Sequence, residues 1–289
     1  MQIYLDGALV GRDEARVSVF DHGLLYGDGV FEGIRVYNRR IFRLEAHLDR
    51  LYASARAIAL AIPLDPRQMT DATERTVRAN GRDDAYIRLI VTRGAGELGI
   101  DPRTCPKPSV IIIVGDVHVY PRDMYASGIR LVTAATRQAP PGTVDSRIKS
   151  LNYLKNVLGK LEAHQAGAHE AIMLNEQGFV AECTADNLFV VRNGRLLTPS
   201  AEDGALDGIT RGAVLALAGE AGIEAREQRL TRYDVHTAEE CFVTGTGAEL
   251  MPVVTVDGRT IGDGSPGTLT RRLAQAFTAL ARTEGQPLW

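Results

Sequence analysis

Arg147-Ile148-Lys149-Ser150-Leu151-Asn152-Tyr153-Leu154 marks the point where an extended segment gives way to a helix. Beyond it Leu151, Leu154, Val157, Leu158 and Leu161 recur at three- and four-residue spacing, which predicts one apolar helical stripe. Lys149 sits at the junction. Packing on the stripe side would hold it while its amine stays available, an arrangement that suits an amine condensing with a carbonyl group. A lone lysine is ordinarily a solvated surface group. Only its company along the chain gives this one a chemical reading.

The 289 residues, 45% of them hydrophobic, supply a large core, and the length fits two domains. A net charge of −3 builds no basic field to draw nucleic acid or an anionic membrane. Cys105, Cys183 and Cys241 are widely spaced and form no C-x-x-C pair, so neither a disulfide framework nor a zinc site is expected, and a reducing, cytoplasmic setting fits. The histidines show no metal-ligand spacing; His164 and His169 stand five apart, off a shared helical face. Gln2-Ile3-Tyr4-Leu5 opens the sequence without the pattern of a signal segment. Apolar runs such as Val110-Ile111-Ile112-Ile113-Val114 are far too short to cross a bilayer, and no internal repeat occurs.

Upstream of the lysine, Asp6-Gly7 reads as a hairpin turn. Phe20 to Tyr37 is glycine-rich and carries Tyr26, Phe31 and Arg35, an aromatic wall with a cation; a ligand-free glycine-rich hairpin is the alternative. Glu45 to Ile62 reads as a helix with Leu48, Leu51, Ala55, Ile58 and Ile62 inward and Pro63 as its stop. Arg50 borders that stripe, as a pocket-edge guanidinium or a surface ion-pair residue. A second helix spans about Pro66 to Asn80. In the strand Ala85 to Arg93, two-residue alternation puts Tyr86 and Arg88 on one face. Gly94-Ala95-Gly96-Glu97-Leu98-Gly99 matches G-x-G-x-x-G, but Pro102, Pro106 and Pro108 forbid the helix that a dinucleotide site needs next, so the loop reads as a lid or pocket edge. Ser109 to Val114 is a buried strand, and Val119 to Ser127 a connection.

Downstream, Glu182 lies in an apolar, small-residue strand region, so it is either at an edge or paired. Asn193-Gly194 and Asp257-Gly258 are hairpin turns. Leu206-Asp207-Gly208-Ile209-Thr210-Arg211 precedes a helix, Gly212 to Ala221; its start is either an anion site or an ordinary cap by Thr210. Thr244-Gly245-Thr246-Gly247-Ala248-Glu249 is a second glycine- and hydroxyl-rich turn able to meet an anion through backbone N–H groups. A C-terminal helix covers about Leu269 to Arg282.

In order, these segments resemble the branched-chain-amino-acid aminotransferases, fold-type IV pyridoxal-phosphate enzymes. The motifs are Tyr26-Gly27-Asp28-Gly29-Val30-Phe31-Glu32-Gly33-Ile34-Arg35, His47-Leu48-Asp49-Arg50-Leu51, Tyr86-Ile87-Arg88, the Lys149 run, Glu182 ahead of Asp186-Asn187-Leu188-Phe189, Gly208-Ile209-Thr210-Arg211 and Gly245-Thr246-Gly247-Ala248-Glu249. The resemblance implies an α+β, two-domain protein: a smaller N-terminal α/β domain over 1–119, a connection over 120–130, and a larger barrel-like cofactor-binding domain over 131–289. It implies a homodimer or higher homo-oligomer, with active sites at the domain interface and small amino and 2-oxo acids as partners.

By the same resemblance, Lys149 forms the Schiff base to pyridoxal 5'-phosphate and later shuttles a proton, burial and nearby cations lowering its pKa for that role. Glu182 pairs with the protonated ring nitrogen, Tyr153 meets the ring hydroxyl and Leu206 packs on the ring. Arg50, the N–H groups of Ile209 and Thr210, and Thr246 hold the phosphate. For substrate, Tyr86, Arg88, Thr246 and Gly247 meet the carboxylate, while Tyr26 and Phe31 lie beside the side chain. Gly33-Ile34-Arg35 and Gly96 to Pro102 look like the branched-chain branch, which transfers the amino group of leucine, isoleucine or valine to 2-oxoglutarate. D-amino-acid transaminases and aminodeoxychorismate lyases share the fold. The former tend to carry basic residues in the loop after Thr92-Arg93-Gly94, where this chain has Glu97 and no base until Arg103. Tyr120 is expected to reach a neighbouring subunit's site.

Overall fold

The computed structural model describes residues 1–116, 119–140, 142–285 and 287–289, and its contacts divide the chain into two compact units. The first is assembled from Met1–Val117, Ile148–Asn152 and Ala281–Trp289; the second comprises His118–Arg147 and Tyr153–Leu280. Lys149 therefore groups with the N-terminal residues, although it lies far along the chain.

The first unit contains β1 (Gln2–Leu5), β2 (Ala8–Gly11), α1 (His22–Tyr26), β3 (Gly29–Tyr37), β4 (Arg40–Ile41), α2 (Leu44–Ala57), α3 (Pro66–Asn80), β5 (Ala85–Thr92) and β6 (Ser109–Gly115). Its strands form one sheet in the order β2-β1-β6-β5-β3-β4, and every pair is antiparallel. Ala85, Ile87, Leu89 and Val91 of β5 are buried, while Tyr86, Arg88 and Ile90 between them are half-buried. The buried set packs in one core with Val30 and Ile34 of β3, Leu48 and Leu51 of α2, and Met69 and Val77 of α3. In the β3–β5 register Phe31 faces Ile90, Gly33 faces Arg88 and Arg35 faces Tyr86, so these six share the other face. Glycine at position 33 leaves room for the Tyr86 hydroxyl, which a Cβ there would displace. Glu32 consequently points to the α2 side.

α2 ends at Ala57, not near Ile62 as periodicity predicted. Ala59 adopts φ +51°, and the Arg93 guanidinium donates to the carbonyls of Ala59 (2.7 Å) and Ile58 (2.8 Å) while pairing bidentately with Asp28. A distant arginine, rather than Pro63, closes the helix. After β5 the Gly94–Gly99 segment enters no α-helix, only a 3₁₀ turn at Pro102–Thr104, so the dinucleotide match is accidental.

The second unit contains α4 (Met124–Ser127), β7 (Ile129–Thr133), α5 (Leu154–Gln165), β8 (Glu170–Leu174), β9 (Val180–Cys183), β10 (Asn187–Arg192), β11 (Arg195–Thr198), α6 (Ile209–Glu220), β12 (Ala225–Glu227), α7 (Arg232–His236), β13 (Glu240–Gly245), β14 (Glu249–Val256) and β15 (Arg259–Thr260), followed by α8 (Thr268–Thr283). Its sheet runs β12-β11-β10-β13-β14-β7-β8-β9, with β15 paired to β14. The α+β expectation holds in both units.

On α5 the spacing located the helix but not its inward face. Leu154 is 71% exposed, and Val157, Leu158 and Leu161 are also exposed; the buried residues are Asn156, Gly159 and Ala163. The helix can lie close to β8 and β9 because the buried side is small: Gly159 faces Thr184 and Met173, and Asn156 Nδ2 donates to the Thr184 carbonyl at 2.7 Å.

Candidate functional site

The candidate residues fall into one group in each unit. In the first, residues 149–151 run antiparallel beside the start of β3. Phe31 N–H donates to the Lys149 carbonyl (3.0 Å), Leu151 N–H donates to the Gly29 carbonyl (2.9 Å), and Val30 bridges Ser150. Lys149 N–H donates to Ser54 Oγ on α2 at 3.1 Å. With its backbone tied on these sides, Lys149 places its Nζ 4.7 Å from the centroid of the Phe31 ring. The Arg88 guanidinium lies at the same 4.7 Å from that ring and 5.3 Å from the ring of Tyr86. Burial pushes the Tyr86 hydroxyl's pKa up, with Arg88 partly opposing, so it stays a protonated donor at neutral pH. Arg35 stacks over Tyr37 at 4.9 Å. Tyr26 is exposed on α1, where its hydroxyl donates to the Leu98 carbonyl.

Arg50 donates through Nε and Nη2 to the two oxygens of Glu32, each at 2.8 Å, and His47 Nδ1 lies 2.8 Å from Oε2 of the same carboxylate. Burial alone would raise the Glu32 carboxyl, but the Arg50 charge and the bonds from His47 and Arg50 win and hold it at about 2. Burial lowers the pKa of His47 against the pull of Glu32, and the charges of Arg50 and Lys149 lower it further, so the imidazole is neutral. Sequence reading missed Glu32, His47 and Ser54 as parts of this group. One signal was available: positions 47, 50 and 54 share a helical face.

In the second unit Glu182 is buried on the edge strand β9. Its Oε1 accepts from Gln138 Nε2 (2.8 Å), and its Oε2 accepts from Leu206 N–H (2.9 Å) and Asn187 Nδ2 (3.3 Å). Leu206 leads to Gly208, which caps α6 without any side-chain hydrogen bond. The helix starts at Ile209, three residues before the expected Gly212, and Thr210 is buried inside the first turn rather than capping it. The N–H groups of Ile209 and Thr210 therefore have no acceptor within the helix. Thr246 and Gly247 stand in the β13–β14 turn, next to Thr244, whose Oγ1 is buried with no partner among the described residues. Tyr153 is the residue before α5, and Lys155 feels the charge of Glu182. Tyr120 packs in this unit's own core; its hydroxyl is buried, which raises its pKa.

Among the described residues there is no cluster of histidine, cysteine and acidic groups able to hold a metal ion, and no helix long and apolar enough to cross a membrane. The profile of the class IV amino-transferases matches residues 29–256. A putative branched-chain-amino-acid aminotransferase of Methanocaldococcus jannaschii is 49% identical over 277 residues, covering 96% of this chain and 95% of the relative. The crystal structure of the T.th. branched-chain amino acid aminotransferase with pyridoxamine 5'-phosphate superposes with a TM-score of 0.94 at 36% identity, over 98% of this chain and 95% of that one. A structure of the same enzyme with N-(5'-phosphopyridoxyl)-L-glutamate gives 0.92 at 37% identity, over 97% and 94%. The lysine, the buried carboxylate and the uncapped helix start thus lie within a match spanning most of the sequence, and the chain belongs to the class IV amino-transferase family.

Proposed function

We propose that the protein is a pyridoxal-phosphate-dependent transaminase that moves the amino group of L-leucine, L-isoleucine or L-valine onto 2-oxoglutarate. The observation that carries this reading is the Lys149 amine, held beside Phe31 on a segment tied to β3 and α2. The names of the relatives support the donor, and the phosphopyridoxyl-L-glutamate complex of the T.th. enzyme supports the acceptor.

Taken unit by unit, the residues suit the cofactor's groups by their chemistry: in the first an amine for its carbonyl, in the second a buried carboxylate for a protonated ring nitrogen and an uncapped helix start for a phosphate. Bound there, pyridoxal phosphate supplies an electron sink that lets the α-proton of an amino acid leave. Lys149 would hold the cofactor through its Nζ, and once an incoming amino acid displaces it, the freed amine would take up and release that proton. Glu182 meets the ring nitrogen, Tyr153 the ring hydroxyl, and Leu206 the ring face. Arg50, Ile209 N–H, Thr210 N–H and Thr246 hold the phosphate, with Glu32 orienting the Arg50 fork. Tyr86, Arg88, Thr246 and Gly247 bind the substrate carboxylate; Tyr26, Phe31 and Arg35 shape the remainder. The reading includes a homodimer, supported by the exposed apolar stripe of α5, and a cytoplasmic setting, which three free cysteines suit.

The test is the absorption spectrum of the holoenzyme titrated separately with L-leucine and D-alanine, with release of the matching 2-oxo acid. L-leucine converts the cofactor to its amine form and D-alanine does not. Conversion by D-alanine instead would assign the chain to the D-amino-acid branch, and pyruvate release without an acceptor to a lyase. Lys149→Ala abolishes the borohydride-stable cofactor adduct; an adduct surviving in that variant refutes the lysine assignment.

A further inference from the structure

We propose that Gln138 and Asn187 are positioning residues for Glu182: two buried carboxamides that aim its carboxylate and tie it to the start of α6. The inference rests on the reading of Glu182 as partner of the cofactor's ring nitrogen, and it assigns work to two side chains outside the cofactor-binding set.

Gln138 is 1% exposed. Its backbone N–H donates to the Leu174 carbonyl at 2.9 Å, which anchors it to the end of β8. Its Nε2 donates to Glu182 Oε1 (2.8 Å) and to the Gly204 carbonyl (3.0 Å), while its Oε1 has no partner among the described residues. This fixes the sense of the amide. Turned over, Oε1 would face a carboxylate oxygen and a carbonyl oxygen, both acceptors, and nothing would offset the repulsion. Gly204, at φ +104°, brings its Cα close to the Gln138 stem: a Cβ there would lie 3.0 Å from Gln138 Cγ. The side chain is thus clasped along its length with both N–H groups directed.

Asn187, the first residue of β10, repeats the device on the other oxygen. Its Nδ2 donates to Glu182 Oε2 (3.3 Å) and to the Leu206 carbonyl (2.8 Å). The Leu206 N–H returns a bond of 2.9 Å to the same Oε2. Its Oδ1 lies where a Cβ on residue 208 would be, so glycine at 208 lets the chain turn into α6 directly against the amide. One asparagine therefore sets the carboxylate and the first residue ahead of α6 in a single register. Amides do this without themselves bringing a charge to Glu182; Lys155 and Cys183 are among the titratable groups that sense its charge.

The test uses the holoenzymes of Gln138→Leu, Gln138→Glu, Asn187→Ser and Glu182→Gln. Cofactor affinity, the pH titration of the bound cofactor's absorbance, and kcat and KM for L-leucine are measured, with melting temperature as the folding control. Gln138→Leu and Asn187→Ser weaken cofactor binding about tenfold and lower kcat about tenfold or more, with KM within about twofold. Gln138→Glu sets a like charge against Glu182, so it is impaired above neutral pH. It recovers on acidification, when a shared proton restores a hydrogen bond between the two carboxyl groups. That reversal is a signature that loss of packing alone does not produce, and it decides the matter should Gln138→Leu fold poorly. If Glu182→Gln is impaired while the Gln138 and Asn187 variants bind, titrate and turn over as the parent does, the positioning role is wrong and the reading of Glu182 stands. If Glu182→Gln itself is unaffected, the ring-nitrogen assignment fails and takes this inference with it.

Discussion

Glu32 illustrates how a residue in a recognisable motif acquires a role that its motif does not disclose. The sequence placed Tyr26 to Arg35 as a glycine-rich stretch with useful aromatics, yet the alternation of β3 turns Glu32 away from Phe31 and toward α2. Its carboxylate is buried against Arg50 and His47, so Glu32→Gln removes the charge that both Arg50 hydrogen bonds and the His47 contact are built around, at an expected cost of about 3–5 kcal/mol. The pH dependence has a definite sign. The folded carboxyl sits at about 2, below its ordinary 4.5, so the stabilisation is fully present above about pH 4.5 and is lost as pH falls toward 2. Melting temperatures of the parent and Glu32→Gln, both carrying His47→Asn to remove the imidazole's titration, check this: the gap is constant above pH 4.5 and narrows below it. Lys149 and Glu182 were legible because each stands in a distinctive local run. Gln138 was not, since it sits in a loop without periodicity and only the fold brings it to Glu182.

At the scale of elements, periodicity located α2, α3, α5 and β5 but could not say what ends a helix or covers its stripe. The end of α2 is made by Arg93, which reaches back from 35 residues beyond Ile58. Arg93→Ala removes the donor from the carbonyls of Ile58 and Ala59, just past the end of α2, and takes the ion pair from Asp28, at an expected cost of about 3 kcal/mol. Hydrogen exchange reads the consequence directly, with amides at the α2 C-terminal turn losing protection before those of α3. Arg93→Lys recovers little, because a point charge cannot serve two carbonyls and a bidentate carboxylate together. The strand β7 escaped sequence reading for a different reason. It is five residues long and interrupted by Arg130, and it is held in place by parallel pairing with both β14 and β8. Such pairing leaves no mark in local sequence.

For the whole molecule, the inverted face of α5 matters most. Four large apolar side chains on one helix face water in the single chain, an unfavourable exposure unless a second copy covers them. Light scattering is expected to give a dimer for the parent. Leu154→Asp with Leu158→Asp shifts it toward monomer and lowers the melting temperature at low protein concentration, where dissociation is favoured. A parent that stays monomeric at micromolar concentration removes the dimer from the proposed function. The fold class was readable because the motifs follow one another along almost the entire chain; the face of α5 was not, because periodicity reports that a stripe is apolar and says nothing of whether it turns inward.

The three-part composition of the first unit bears on how the protein is born. Leu288 lies in the same core as Val30 and Leu51, its N–H donates to the Arg39 carbonyl, and its own carbonyl accepts from Arg78 Nε. On a ribosome, residue 281 follows residue 117 by roughly 10–30 s at about 5–20 residues per second. Lys149's segment follows residue 117 within a few seconds at that rate, but throughout the longer interval the nascent N-terminal sheet lacks this closing tail, so it waits with part of its core open, a natural station for a chaperone.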